Sequence, residues 1–294
     1  MSTEQIGSIT SPQIALMTFT GDTGQINNLS TDLVAGLSAS QVTALSDKQV
    51  ASLSAEQLAA MSTEQLAAIN NKDLAGLSND KINALSAEQF NAFTAAQVKT
   101  LTVDQVGHLD DEIIQGLGSE EIEAFTAAQL KALTITQMGK FSAEQIAMFS
   151  TASDNNQIAS LSVAQIGALS GDQVAGFTDT QIGKFSAAQV AGLTATQAPS
   201  LTTAQVGAMT DKQIAAITNA AFAKLSTDVI AGLSTTIKDG EKLSQVQALT
   251  AGQIAELDEG QIQALTAGED GQIAAFAPKQ IAAFSSTQLN KMST

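Results

Sequence analysis

Cysteine, tryptophan and tyrosine are absent from this 294-residue chain, and the single histidine is His108. Arginine does not occur either, so all positive side chains are lysines. That palette is too thin for most side-chain chemistry. Nucleophilic catalysis needs a base and an orienting partner beside the Ser or Thr, and one histidine supplies no such set. Positive charge is scarce as well: 13 Lys stand against 29 Asp and Glu, for a net charge of −16 and a pI near 4.2. Phosphate backbones and anionic lipid surfaces need clustered cations, so nucleic acid is excluded as a partner. No apolar run reaches the length of a membrane span. The opening residues, MSTEQIGSIT, lack the charged and apolar regions of a secretory signal. Cysteine absence suits a secreted bacterial protein and many cytoplasmic ones alike.

What is present is repetition. Residues 53–69 read LSAEQLAAMSTEQLAAI, and large apolar anchors recur every eight residues through most of the chain. One register runs from Leu29 through Leu37, Leu45 and Leu53 to Phe149; a second runs from Leu161 to Leu233 and resumes at Leu249. The octad is anchor, Ser or Thr, two free positions, Gln, an aliphatic, a free position and a small residue. A repeat covering nearly every residue makes the whole of 1–294 one quasi-linear array rather than two ordinary domains.

The order Leu-Ser-x-x-Gln-Leu writes out a helix start. Ser54 can cap free N–H groups, Gln57 at the third helical position can reach back to the cap N–H, and Leu53 can staple onto Leu58. Asn70, Asp110 and Asp258 replace Ser or Thr with other capping residues. If each octad starts a helix it must also end one, which leaves about one and a half turns at 3.6 residues per turn. A single long helix fails, because eight residues advance about 80° beyond two turns and the anchors would spiral round it. Pro199 interrupts, Pro278 suits a first helical position, and Gly36, Gly76, Gly116, Gly176, Gly192 and Gly232 stand before anchors where the chain turns. A β-solenoid fails on parity, since anchor and aliphatic lie five apart. The expected fold is therefore all-α: a solenoid of very short capped helices, one per octad, each too short to survive alone. The small residue before each anchor lets neighbours approach closely. Gln avoids the repulsion of stacked carboxylates, and amides can bond one another. The number of octads per coil is not encoded.

Breaks in the array carry its individuality. Insertions near 18–24, 150–156 and 266–271 each precede a helix start and read as exposed loops; a fourth irregularity near 234–244 keeps register but loses its anchor at Glu241. Asp22, Asp154 and Asp270, with Asn155, Glu269 and Asp239, offer oxygens to a hard cation such as calcium. None matches the EF-hand spacing, and Gly/Asp/Asn turn chemistry accounts for the same residues. The acidic stretch HLDDEIIQGLGSEEIE, residues 108–123, could be drawn as a metal site. Cap and first-turn positions, where acids meet the helix dipole, explain it better. Two carboxylates suffice for a glycosidase, but a thin core offers it no pocket. Ser and Thr arrays also raise ice binding, although capping explains their positions. The phenylalanines stand at anchors and read as core.

The phrases LTTAQVGAM (201–209) and FTAAQVKTL (93–101) resemble tandem octapeptide tracts of large bacterial surface and adhesin-like repeat proteins. That resemblance covers almost the whole chain and carries no active site. It implies secretion or a cell-surface location and a structural or adhesive role; a cytoplasmic protein is the alternative. LTxxQ, as at Leu201 to Gln205, is also similar to a short motif of periplasmic helical stress chaperones. The expected function is a non-catalytic rod or scaffold. Matching chain ends would allow head-to-tail stacking into a homo-oligomer. The alternative is a calcium-assisted adhesin or spacer whose loops contact a protein or cell-surface partner.

Overall fold

The computed structural model describes residues 2–20 and 23–292. Among them lie 32 α-helices of four to six residues and one 3₁₀ turn, Ala198–Ser200, with no strand. The fold is all-α, a helical solenoid of short helices, with about one helix per octad. The chain forms two compact units, Met1–Lys140 and Phe141–Thr294.

The local rule is visible at Ser54. Its backbone is extended (φ −73°, ψ 166°), its hydroxyl accepts the Gln57 N–H at 3.1 Å, and Gln57 Oε1 accepts the Ser54 N–H at 2.7 Å. This reciprocal box satisfies two otherwise unpaired donors, and it recurs through both units. Asp258 uses it with Gln261. Asn70 and Asp110 depart from expectation: neither side chain caps its own helix. Asn70 Nδ2 turns instead to Asp73 Oδ2 and to the Thr43 carbonyl, while Asp110 Oδ1 accepts from Asn83 Nδ2. Each helix ends as the next anchor turns extended, as at Leu53 (ψ 139°), whose N–H still bonds the Val50 carbonyl. Pro199 leaves its octad only the 3₁₀ turn.

The acids just before the Gln join the same start. The carboxyls of Glu56, Glu64 and Glu144 are held below the usual range by their own backbone N–H and then by the cap serine hydroxyl. A lowered folded value means this contribution is present above the unfolded pKa and lost as pH falls through the folded one.

In the unit Met1–Lys140, Val103–Gly107 packs on Ala127–Ala132 and Asn71–Leu74 on Ala95–Thr100. In the unit Phe141–Thr294, Asp179–Gly183 packs on Thr203–Ala208. Each partner is the third octad along, so a helix rests on the one three octads before it. Anchors and aliphatics form the core: Leu53 and Leu58 are each 1 % exposed. Successive anchors also touch, as Phe141 and Phe149 meet edge to face at 5.3 Å and Phe177 and Phe185 at 5.1 Å.

At several octads the small residue before the anchor lies where stacked octads approach closely. A Cβ on Gly176 would stand 2.5 Å from the Ala143 carbonyl oxygen, and one on Gly192 would stand 2.8 Å from Val163 Cγ1. Gly207, inside the helix Thr203–Ala208, has nothing within 4 Å of the same position. Gly207→Ala is expected to stabilise the protein by about 0.5–1 kcal/mol through unfolded-chain entropy. Thermal melting reads this, and a lowered midpoint would contradict it.

Candidate functional site

The most extensive polar feature is buried. From Gln41 onward the octad's Gln is buried at most positions, with Gln89 and Gln288 half-buried and Gln157 and Gln253 fully buried. Its oxygen serves the cap of its own helix. Its Nε2 donates to backbone carbonyls of earlier octads: Gln105 reaches Leu74 and Leu77 at 2.8 Å each, and Gln129 reaches Val98 at 2.9 Å and Leu101 at 2.7 Å. In the second unit, Gln213 reaches Ile182 at 2.9 Å and Phe185 at 2.8 Å. The acceptors lie 31 and 28 residues back. They are the aliphatic carbonyl of the fourth octad before and the anchor carbonyl of the third. These carbonyls end short helices, where the free C=O groups need donors. One amide thus joins a helix start to a helix end on the turn beneath. The glutamines bond backbone rather than one another, because the carbonyl row is the nearer unsatisfied acceptor.

The insertions leave this ladder intact. Across residues 18–24, Gln41 bonds Ile6 and Ile9 at separations of 35 and 32, four more than the rule. Gln181 does the same across residues 150–156, to Ile146 and Phe149. Gln245 reaches back 39 and 36 residues, eight more than the rule, to Val206 and Met209. The irregular stretch at 234–244 is therefore an insertion of one octad's length, which is why register survives it. The cap N–H that Gln245 accepts is Ser234's, 11 residues earlier rather than three. This loop is docked: Lys238 Nζ donates to the Gly207 and Met209 carbonyls, and Glu241 Oε2 accepts the Asp211 N–H.

Three of the departures from Gln are compensated in part. Lys81 keeps the donor half and bonds the Ala51 carbonyl, with burial drawing its ammonium pKa down. Where Ile113 and Glu121 replace Gln, asparagines from the turn beneath take the cap N–H: Asn83 Oδ1 accepts from Asp110 at 3.2 Å and Asn91 Oδ1 from Gly118 at 3.4 Å. Asn83 and Asn91 also donate to the His108 and Gly116 carbonyls, at 2.7 Å each.

Glu121 is 4 % exposed. Burial raises its pKa, against the lowering by its own and the Gly118 N–H, and the Glu120 charge raises it further. Asp73, at the same octad position, is 1 % exposed and its Oδ1 has no partner. With the folded pKa of Glu121 above its unfolded value, the penalty is present above the folded pKa and relieved as pH falls through it. Glu121→Gln is expected to stabilise by about 1–2 kcal/mol at neutral pH, as the ladder spacing points a new amide at the Phe90 and Phe93 carbonyls. Urea unfolding across pH should show that gain shrinking in acid; a constant or inverted difference would refute it.

Asp22 lies outside the described residues. Asp154 is exposed in its loop, where Ser150 Oγ accepts the Ala152 N–H and Asn156 Oδ1 caps Ala159. Asp239 precedes Gly240, whose φ is 83°, and Asp270 follows the turn at Gly268, whose φ is 101°. Turn chemistry thus accounts for the loop backbones. Asp270 and Glu269 line an open groove of about 400 Å³ with Thr235, Thr236 and Gln247, so the third loop lies beside the fourth. Among the described residues, no three His, Cys, Asp or Glu side chains are grouped to hold a metal ion. In the acidic stretch, Asp110, Asp111 and Glu112 line an open pocket of about 470 Å³, Lys140 pairs with Asp111 at 2.8 Å, and His108 is exposed with Nδ1 2.8 Å from the Asp104 carbonyl.

The functional residues that sequence reasoning placed only at caps are the buried glutamines. The signal was their recurrence at one octad position, which capping alone does not require. No helix among the described residues is long and apolar enough to cross a membrane. No curated protein matches the chain. The sequence profile of the ALTTAQ repeat matches residues 66–103. That stretch holds Gln89 and Gln97 of the ladder, and the octad at Leu201 to Gln205 spells LTTAQ. Profile and fold together make this a repeat protein of stacked short helices.

Proposed function

We propose that the protein is a non-catalytic structural repeat protein, a rod or scaffold whose inserted loops are the variable features on a constant frame. The observation that carries this reading is the glutamine ladder. It commits the buried polar side chains to holding one turn on the next, and insertions of different lengths leave its bonding rule unchanged. Small-angle scattering tests the rod. A pair-distance distribution with a long linear tail supports it, and a symmetric globular profile overturns it. A location outside the cell or on its surface belongs to the same proposal, supported by the likeness to bacterial surface repeats.

A second reading, a calcium-assisted adhesin or spacer, is favoured by one feature: Glu269 and Asp270 share an open groove with Thr235 and Thr236. Calorimetric titration with calcium tests it. Heat that vanishes in Asp154→Asn/Asp270→Asn, with Asp22→Asn as a third variant, supports this reading; absence of heat in the unaltered chain rejects it.

A further inference from the structure

Aspartate followed by glycine is a pair at which a backbone can rearrange by itself, because glycine has no side chain to shield its amide nitrogen from the aspartyl carboxyl. The chain holds this pair twice, at Asp239–Gly240 and Asp270–Gly271, and both lie in inserted segments. Their surroundings differ at the atom that would react, the glycine nitrogen. Gly271 is the N-cap of the helix Gln272–Ala275, and its N–H donates to the Gly268 carbonyl at 3.0 Å. A Cβ on it would stand 2.5 Å from the Ala267 carbonyl oxygen, so backbone walls the residue closely.

Gly240 is held differently. It is the third residue of a tight turn from Lys238 to Glu241, closed by the Glu241 N–H on the Lys238 carbonyl at 3.0 Å. Its φ of 83° suits the glycine position of a type II turn. Among the described residues the Gly240 N–H donates to nothing, and nothing stands within 4 Å of a Cβ built on it. Asp239 is exposed, and its carboxyl takes part in no hydrogen bond or ion pair there.

We infer that Asp239–Gly240 is a site of spontaneous isoaspartate formation, and that the change releases the docked loop without breaking the glutamine ladder. The Gly240 nitrogen attacks Cγ of the neutral Asp239 carboxyl. A C–N bond forms, the amide proton and the carboxyl hydroxyl leave as water, and a succinimide ring closes. Water then adds at the main-chain carbonyl carbon of Asp239 and breaks its bond to the Gly240 nitrogen, so the chain continues through Cγ. One water is lost on closing and one regained on opening, with no change of oxidation state.

The product is longer by one methylene between Lys238 and Glu241. Those residues are tied to one stretch of the turn beneath: Lys238 Nζ donates to the Gly207 and Met209 carbonyls, and Glu241 Oε2 accepts the Asp211 N–H at 3.1 Å. The longer link does not fit both contacts and the turn bond between them. The ladder lies outside the change, since Gln245 itself accepts the Ser234 N–H and donates to the Val206 and Met209 carbonyls. The outcome is a loop that loosens irreversibly with the age of the chain on a frame that stays folded, which goes beyond the scaffold reading.

Incubation of the full chain for weeks in heavy-oxygen water at neutral pH is the test. Each succinimide opened by water carries a heavy oxygen into its aspartyl residue, and electron-transfer fragmentation locates the label and identifies the β-linkage. Label at Asp239 should exceed that at Asp270 about tenfold or more, because the Gly271 nitrogen reacts only after its bond and packing open. In the converted chain the Asp211 amide should lose protection from hydrogen exchange, while that of Thr210, held by Gln213 Oε1 at 2.7 Å, keeps it. Asp239→Ser, aged alongside, should keep both. Label at Asp270 that matches Asp239, no label at Asp239, or a converted chain whose Asp211 amide stays protected overturns the proposal, as does equal loss of protection in aged Asp239→Ser.

Discussion

Gln97→Leu is expected to destabilise the protein by about 3–5 kcal/mol, because three backbone groups, two of them bonded in the buried interior, lose their partner at once. The Thr94 N–H gives up an acceptor at 2.7 Å, and the Leu66 and Ile69 carbonyls give up a donor at 3.0 and 2.8 Å. Leucine nearly matches the volume, so the loss is polar and not a cavity. The same change at Gln5 is the control. It occupies the same octad position but is exposed and donates to no earlier turn, so Gln5→Leu should cost about 1 kcal/mol, the worth of a cap contact. Gln97→Glu separates the two halves of the role. A carboxylate can still serve the cap but faces two carbonyl oxygens, so the variant should be weak at neutral pH and partly restored in acid, where the neutral carboxyl can donate. Urea unfolding of all three variants gives the comparison. Equal costs at positions 5 and 97 would show that capping, and not the bond to the turn beneath, is what Gln supplies.

The second large effect is steric. Gly176→Val should cost about 3 kcal/mol, at the upper end of overpacking penalties. The first atom of any side chain at Gly176 would lie 2.5 Å from the Ala143 carbonyl oxygen and 2.7 Å from its Cα. Those are backbone atoms of the helix Ala143–Ala147, so no rotamer change relieves the contact; the two turns must separate. Separation would also stretch the bond from Gln173 Nε2 to the Phe141 carbonyl, now 2.7 Å. The fall in melting temperature should therefore come with faster exchange of amides on both helices. Unchanged stability would mean that the close approach at the small residue is not what sets the spacing between turns.

Much of this architecture was legible before any coordinates. The box at Ser54 and Gln57, the burial of Leu53 and Leu58, the short helices and the interruption at Pro199 follow from local rules acting within one octad. Local rules also placed the three insertions ahead of their Gln. They failed at Asn70 and Asp110, where a capping residue type was read as a cap. Its own third-position partner there is Asp or Ile, and a neighbour on another turn claims the side chain instead. They also could not see that the stretch from Ser234 to Gln245 is a full extra octad, since a loop of that length leaves the period unbroken.

The octad by itself determined the secondary structure, the all-α class, the inward and outward faces and the need for stacking, because capping and hydrophobic spacing operate over fewer than eight residues. Tertiary structure alone decided which octads meet. The octads are nearly identical, so no pattern within one distinguishes the second neighbour from the third or fourth. That choice is made by backbone geometry, when the coil brings the end of one helix within reach of a glutamine 28 residues further on. The same closure turned a capping residue into the bond between turns.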